Sequence, residues 1–258
     1  MKLKHSRIYK LLAYGFSGLL FLGGCTTYNA ATERNEFIFI STEQETALGM
    51  DIHRQLEKEF KFSDDTRQIS RLQTVGRIVD AVSDRKDFQS SFFLIEKDDL
   101  NAFTIPGGRV YIFSGLMNNL KTDAQLASVL AHEIGHGAAK HVVKKYQAAL
   151  GYNLIGSIAA TQLGDGSGSM LLKGSNTVMG LIFTSYGRQD EYEADRLGIR
   201  YMLRAGYDPQ GMLEAFEILK RESKGAYIPT ILRSHPHLDD RIIQARREIL
   251  KERGTVQK

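Results

Sequence analysis

The chain has 258 residues, 42% hydrophobic and 25% charged. That is enough for one large domain or two small ones with a real core, and it excludes a largely disordered chain, a collagen and a multispan membrane protein. The net charge of +4 resides in Lys2, Lys4, Arg7 and Lys10, in an opening stretch without acids; the balanced remainder gives no electrostatic case for a nucleic-acid partner.

The chain starts with a basic segment, then the apolar run 11–21, then Leu22-Gly23-Gly24-Cys25. The apolar run is too short to span a bilayer, which takes about 20 residues as a helix. A basic start, a short apolar core and a small-residue exit read as a secretory signal over 1–24. The exit resembles the bacterial lipobox, which implies cleavage before Cys25 and its lipidation, so an anchor and not a span. Thr26 in place of Asp favours the outer membrane. The other reading is an uncleaved anchor helix with an incidental cysteine. Cys25 is the only cysteine, so an intrachain disulfide and a thiolate zinc finger are both excluded.

Residues 25–41 read as a tether, and 42–253 as one domain. Residues 42–60 read as a helix with a capping box from Thr42 to Glu45, and 66–83 as a second helix with apolar residues at helical spacing. The period then changes. Phe92–Ile95 reads as a strand, and Ala102–Ile105, Pro106-Gly107-Gly108 and Arg109–Phe113 read as a hairpin. Residues 123–150 return to helix. Residues 151–185 are rich in Gly and Ser, with a lid as one role for them. Residues 188–205 and 209–224 are helical, separated by Gly206, with Asp208 as cap and Pro209 at the first position. Residues 238–253 form a last helix. The expected fold class is α+β, mostly helical, with a small sheet.

His132-Glu133-Ile134-Gly135-His136 is an HExxH. On a helix the two histidines lie about 40° apart and one turn up, so both imidazoles can meet one metal ion while Glu133 reaches a water beside it. Thr122 and Gln125 suit a capping box. Leu126, Leu130 and Ile134 form an apolar stripe roughly opposite the histidines. Catalytic zinc takes three protein ligands and an open position. His141 falls about 140° round the same helix from His136 and reads as a surface or capping histidine. The metzincin pattern fails, because Ala139 and Val142 stand where it needs Gly and His. Glu191 and Asp195 share a helix face at i, i+4, which Gly198 continues. Glu191 suits a third ligand and Asp195 a partner for the outer N–H of a ligand histidine. An acidic helix start that complements the dipole is the alternative. Glu193 lies on the other side and reads as solvated.

HEIGH followed by EYEADRLG resembles the HtpX-type and CAAX-prenyl-protease-type zinc metallopeptidases, metallopeptidase family 48, over most of residues 42–247. The length and leader resemble its secreted lipoprotein branch. The resemblance implies a gluzincin-like protease fold with a small hairpin beside the active-site helix, one Zn2+ per chain, and Glu191 as third ligand. Asn101-Ala102-Phe103 with Pro106-Gly107-Gly108 resembles the family's NAF…GG hairpin, whose edge strand, if exposed, could hold substrate backbone by strand addition; a purely structural hairpin is the alternative. Ser234-His235-Pro236 with Arg241 resembles its late HP…R element. That makes His235 a fourth ligand, a transition-state helper or a loop histidine, with Arg241 beside the site. The membrane-spanning helices of some relatives are missing here.

The expected function is a zinc endopeptidase of the bacterial envelope, with Glu133 as general base, acting on misfolded or unassembled proteins. The expected partners are protein or peptide substrates, the membrane through the lipid anchor, and the outer-membrane assembly machinery. The competing reading is a periplasmic chaperone or assembly factor for outer-membrane proteins with latent proteolysis. A zinc hydrolase of other bonds ranks third.

Overall fold

The computed structural model describes residues 26–162, 180, 184–223 and 227–256. The leader, Cys25 and most of the Gly/Ser-rich segment 151–185 lie outside the described residues, and with them the expected lipidation and lid.

Residues 26–37 form an antiparallel hairpin, β1 (Thr26–Asn29) and β2 (Arg34–Phe37), packed on the domain through buried Ala31 and Thr32. The expected tether is therefore ordered here. Helix α1 (Thr42–Glu59) follows. Its cap is Ser41, whose hydroxyl accepts from Gln44 N at 3.3 Å, while Gln44 Oε1 accepts from Ser41 N at 2.9 Å. The box thus sits one residue earlier than expected, and Glu45 is left for another task. Helix α2 (Thr66–Ala81) is capped by the Asp65 carboxylate, which accepts from Arg67 N and Gln68 N.

Strands β3 (Ser91–Ile95), β4 (Ala102–Ile105) and β5 (Arg109–Phe113) form one sheet in the order β3-β5-β4, with β3 parallel and β4 antiparallel to β5. Side chains alternate across it. Phe92, Leu94, Ala102, Val110 and Ile112 join the main core with the helices behind. Ile95, Phe103, Ile105, Tyr111 and Phe113 join a second cluster with Ile52 and Leu56 of α1. Burial on both faces explains the unbroken apolar run of β5. Tyr111 stacks on Phe93 and Phe103, at centroid distances of 5.0 and 4.9 Å, and so laces the three strands. The β4–β5 turn has φ +76° at Gly107 and +69° at Gly108, the left-handed region that glycine enters without a Cβ clash.

Helix α3 (Ser114–Asn119) leads into α4 (Asp123–Ala138), capped by Thr122 and Gln125 and buried along most of its length. The expected single helix over 123–150 does not form. It breaks at Lys140, φ +56°, and α5 (His141–Gln162) starts in a new direction. The terminal carbonyls of α4 are taken by distant side chains: Arg85 Nη1 donates to Gly137 O at 2.8 Å and Asn29 Nδ2 to Ala138 O at 3.1 Å. These satisfy groups a continuing helix would have used. Then come α6 (Arg188–Arg204), closed by Gly206 at φ +79°, α7 (Gln210–Glu222), short α8 (Thr230–Ser234) and α9 (Leu238–Val256). Asp208 caps α7 by accepting from Gln210 N at 2.9 Å. No helix among the described residues is long and apolar enough to cross a membrane.

Glu45 and Arg85 form a buried pair at 3.0 and 2.5 Å. Glu45 Oε1 also accepts from Gly107 N at 3.2 Å. One ion pair thus ties α1, the β4–β5 turn and the end of α4 together. Substituting Arg85→Met strands the Glu45 carboxylate, so urea denaturation should show a loss of about 3–5 kcal/mol; a loss under about 1 kcal/mol, the value of a surface pair, would contradict this role.

Candidate metal centre

Helix α4 buries Leu126, Leu130 and Ile134 in the main core, which turns His132, Glu133 and His136 toward α6. The two helices can touch because Gly135 and Gly198 lack side chains. A Cβ at Gly135 would lie 2.9 Å from Ala194 O, and one at Gly198 3.2 Å from His132 N. This close approach carries Glu191 and Asp195 to the histidines. Helix α8 ends on His235, its C-cap. It is held to the rest by Ile231 N donating to Leu100 O at 3.0 Å and by Thr230 and Tyr227 donating to the Asp99 carboxylate.

His132, His136, Glu191 and His235 converge, each offering one atom within 4.8 Å of the others. The Nε2 atoms of His132 and His136 are 3.0 Å apart. Glu191 Oε1 lies 3.4 Å from His136 Nε2 and 3.0 Å from His235 Nδ1, and Glu191 Oε2 lies 3.7 Å from His132 Nε2. His235 Nδ1 is 3.2 Å from His132 Nε2. Ligand atoms about 2.0–2.2 Å from a tetrahedral ion stand about 3.3–3.6 Å from one another. All four residues are buried, and their nitrogen and carboxylate donors are those zinc takes. The group is therefore able to hold a zinc ion.

The electrostatics suit a cation. Burial by itself would raise the pKa of Glu191, but Arg241 and His235 outweigh it and hold that carboxylate well below its usual range. Burial pushes His136 well below the usual histidine value. An ionised carboxylate and a neutral imidazole are the forms that ligate metal. Glu133 is buried, and neither of its oxygens has a hydrogen-bond partner among the described residues; nor has His235 Nε2, which lies 3.6 Å from Glu133 Oε1. Buried polar atoms without partners are costly in a finished core and mark a place built to meet something else.

Each ligand is braced from behind. Asp195 Oδ1 stands 2.8 Å from His132 Nδ1, and Arg241 grips Asp195 through Nε at 2.8 Å and Nη2 at 2.7 Å. Arg241 Nη1 also reaches Glu191 Oε2 at 2.7 Å. With its guanidinium spent on these two carboxylates, Arg241 positions the site.

The expectation for His141 is overturned. Because the chain turns back at Lys140, His141 is buried and its Nδ1 lies 2.8 Å from His136 Nδ1. With His136 Nε2 facing the cluster, the His136 Nδ1–H donates to His141. The His141 Nε2–H then donates to Glu193 Oε2 at 3.3 Å. Glu193 is not solvated either. It accepts from Arg34 of β2 at 2.7 and 3.0 Å. Tyr186, just before α6, escaped sequence reasoning as well. It is buried, with its ring centroid 4.0 Å from that of His136 and 5.2 Å from that of His235, and no residue spacing signals it.

Asn101, Ala102 and Phe103 lead into and form β4, which lies beside α4. Strand β4 is an edge in pairing but not an exposed one: Asn101 and all four strand residues are buried. Substrate backbone can add to this edge only if what covers it moves.

An HExxH helix crossed by a helix that brings in a carboxylate is the framework of a metallopeptidase. The model of peptidase family M48 matches residues 66–249, and the chain belongs to that family. It is 33% identical over 220 residues to a beta-barrel assembly-enhancing protease of Yersinia pestis, an alignment covering 80% of this chain and 44% of the relative. Identity to the protein of that name from Escherichia coli (strain K12) is 32% over 216 residues, with the same two coverages. Identity to the mitochondrial metalloendopeptidase OMA1 of Schizosaccharomyces pombe is 29% over 213 residues, covering 78% of this chain and 61% of the relative. The chain thus spans less than half the length of the two assembly-enhancing proteases.

If His141 holds the ring of His136, His141→Ala should weaken zinc binding about 10–100-fold in a chelator competition. An unchanged zinc affinity would reduce His141 to packing.

Proposed function

We propose that this chain is a zinc-dependent endopeptidase of the bacterial cell envelope, lipid-anchored at Cys25 on the periplasmic face of the outer membrane, that hydrolyses peptide bonds in misfolded or unassembled proteins. The observation that carries the enzymatic part is the buried His132, His136 and Glu191 set beside a carboxylate, Glu133, whose oxygens accept no hydrogen bond among the described residues. The leader and lipobox support the location, and the names of the bacterial relatives support a link to outer-membrane assembly.

Zinc, when bound, supplies an acidified water and polarises a substrate carbonyl. His132, His136 and Glu191 hold it. Glu133 takes the proton of the attacking water as general base and returns it to the leaving amine. His235 Nε2, which makes no hydrogen bond among the described residues, can donate to the oxyanion that develops on the carbonyl. Asp195 and Arg241 keep the imidazole of His132 and the carboxylate of Glu191 in place.

Glu133→Gln should keep its zinc and lose casein cleavage about 10²–10⁴-fold. Glu191→Ala should lose the metal as well. Full cleavage by Glu133→Gln would end the proposal.

One observation favours the second reading, an assembly factor or chaperone for outer-membrane proteins with latent proteolysis. His235 Nδ1 stands among the ligand atoms, 3.0 Å from Glu191 Oε1. Four protein ligands fill a tetrahedral site and leave no open position. On this reading His235→Ala raises casein cleavage at unchanged zinc content. A fall in cleavage would instead assign His235 to the transition state and remove the basis for latency.

A further inference from the structure

The N-terminal hairpin has two unlike faces. Its register pairs Thr26 with Phe37, Thr27 with Glu36, Tyr28 with Asn35 and Asn29 with Arg34. Alternation therefore puts Thr27, Asn29, Arg34 and Glu36 on one face, and Thr26, Tyr28, Asn35 and Phe37 on the other. The first face is fastened to the domain by polar contacts. Asn29 donates to Ala138 O at 3.1 Å, Lys144 Nζ to Glu36 Oε1 at 2.7 Å, and Arg34 to Glu193 Oε1 at 2.7 Å. These contacts decide which face looks outward.

The outward face is aromatic. Tyr28 is 61% exposed and Phe37 53%, and Phe39, two residues on, is 54% exposed with its ring 6.1 Å from that of Phe37. Exposed Met50, Ile78, Ile243 and Leu250 lie singly on helices and Tyr227 and Ile228 form a pair before α8, while three exposed aromatic side chains fall within the one stretch 28–39. They leave roughly 300 Å² of aromatic surface uncovered. Phe37 and Phe39 are ring neighbours, and Tyr28 shares the face of Phe37; the largest apolar patch of a monomer is of about this size and is often functional, whereas scattered apolar residues need no explanation.

We propose that this face rests in the lipid–water interface of the membrane that holds the chain at Cys25. The proposal builds on the lipid-anchor reading. Strand β1 begins at Thr26, the residue after Cys25. At about 3.3 Å per residue, Tyr28 lies within roughly 10 Å of an acylated Cys25, so no linker separates the hairpin from the bilayer. Aromatic rings, and Tyr with its polar tip, favour that interface. The same hairpin grips the domain through its polar face. The lipid face therefore sets the orientation of the domain on the membrane, where a flexible tether would let it tumble.

The chain contains no tryptophan, so Phe37→Trp introduces a sole indole reporter. The full-length, lipidated protein is placed in phosphatidylethanolamine–phosphatidylglycerol vesicles carrying lipids brominated near the headgroup. The indole fluorescence of the Phe37→Trp variant should fall about twofold or more, and a single indole introduced by Leu250→Trp on α9 should not respond. Tyr28→Trp is the second reporter should Phe37→Trp fold poorly. Mass analysis of Cys25 separates the two readings. An acylated, vesicle-bound protein with unquenched indoles at positions 37 and 28 overturns the hairpin proposal alone; protection of those indoles by crosslinking to a second copy or another protein does the same. A protein without acylation at Cys25 overturns the anchor reading and the proposal with it.

Discussion

The centre of this molecule depends on one helix crossing. Helices α4 and α6 approach closely enough for backbone to meet backbone, because Gly135 and Gly198 present no Cβ. The crossing brings the Glu191 carboxylate against the imidazoles of an HExxH helix, in a buried setting. A lone buried carboxylate is costly. Arg241 keeps it ionised, and the facing nitrogens of His132, His136 and His235 complete a pocket of donors for a divalent cation.

The surroundings act mainly to keep those donors oriented. His132 is held through Asp195, which Arg241 grips with two nitrogens. His136 is held through His141, then Glu193, then Arg34 on the N-terminal hairpin. Each brace draws on an element far away in sequence. The imidazole tautomers are thereby chosen by the tertiary fold, since the hydrogen bond at one ring nitrogen determines what the other can ligate. The pair formed by Glu45 and Arg85 plays the corresponding part for the backbone. It joins α1, the glycine turn of the sheet and the last turn of the active-site helix.

Much of this was legible in the residues. The HExxH, the apolar stripe behind it, the Thr122–Gln125 cap and the i, i+4 spacing of Glu191 and Asp195 depend on helical geometry, which is local. The hairpin Ala102–Ile105 and Arg109–Phe113 was legible for the same reason, because strand alternation and two adjacent glycines define it. That His235 and Arg241 belong with the motif came only from family resemblance, since no period connects residues a hundred positions apart. Sequence placed the first cap at Thr42; Ser41 took it because its hydroxyl and Gln44 close the box, while Glu45 was drawn inside by Arg85.

The sequence by itself determined the chemistry available: two imidazoles, a carboxylate between them and an acidic helix face downstream, all specified by spacing within single helices. Only the tertiary structure decided where the active-site helix stops, because the groups that end it belong to Arg85 and Asn29. That stop turns His141 inward to His136, the opposite of where an unbroken helix would have pointed it. It takes the same long-range packing to bury β4, to set Tyr186 against the histidines and to fold residues 26–37 onto the domain. Local spacing carries no information about any of these, because each depends on which distant surface arrives to satisfy a polar group or cover an apolar one.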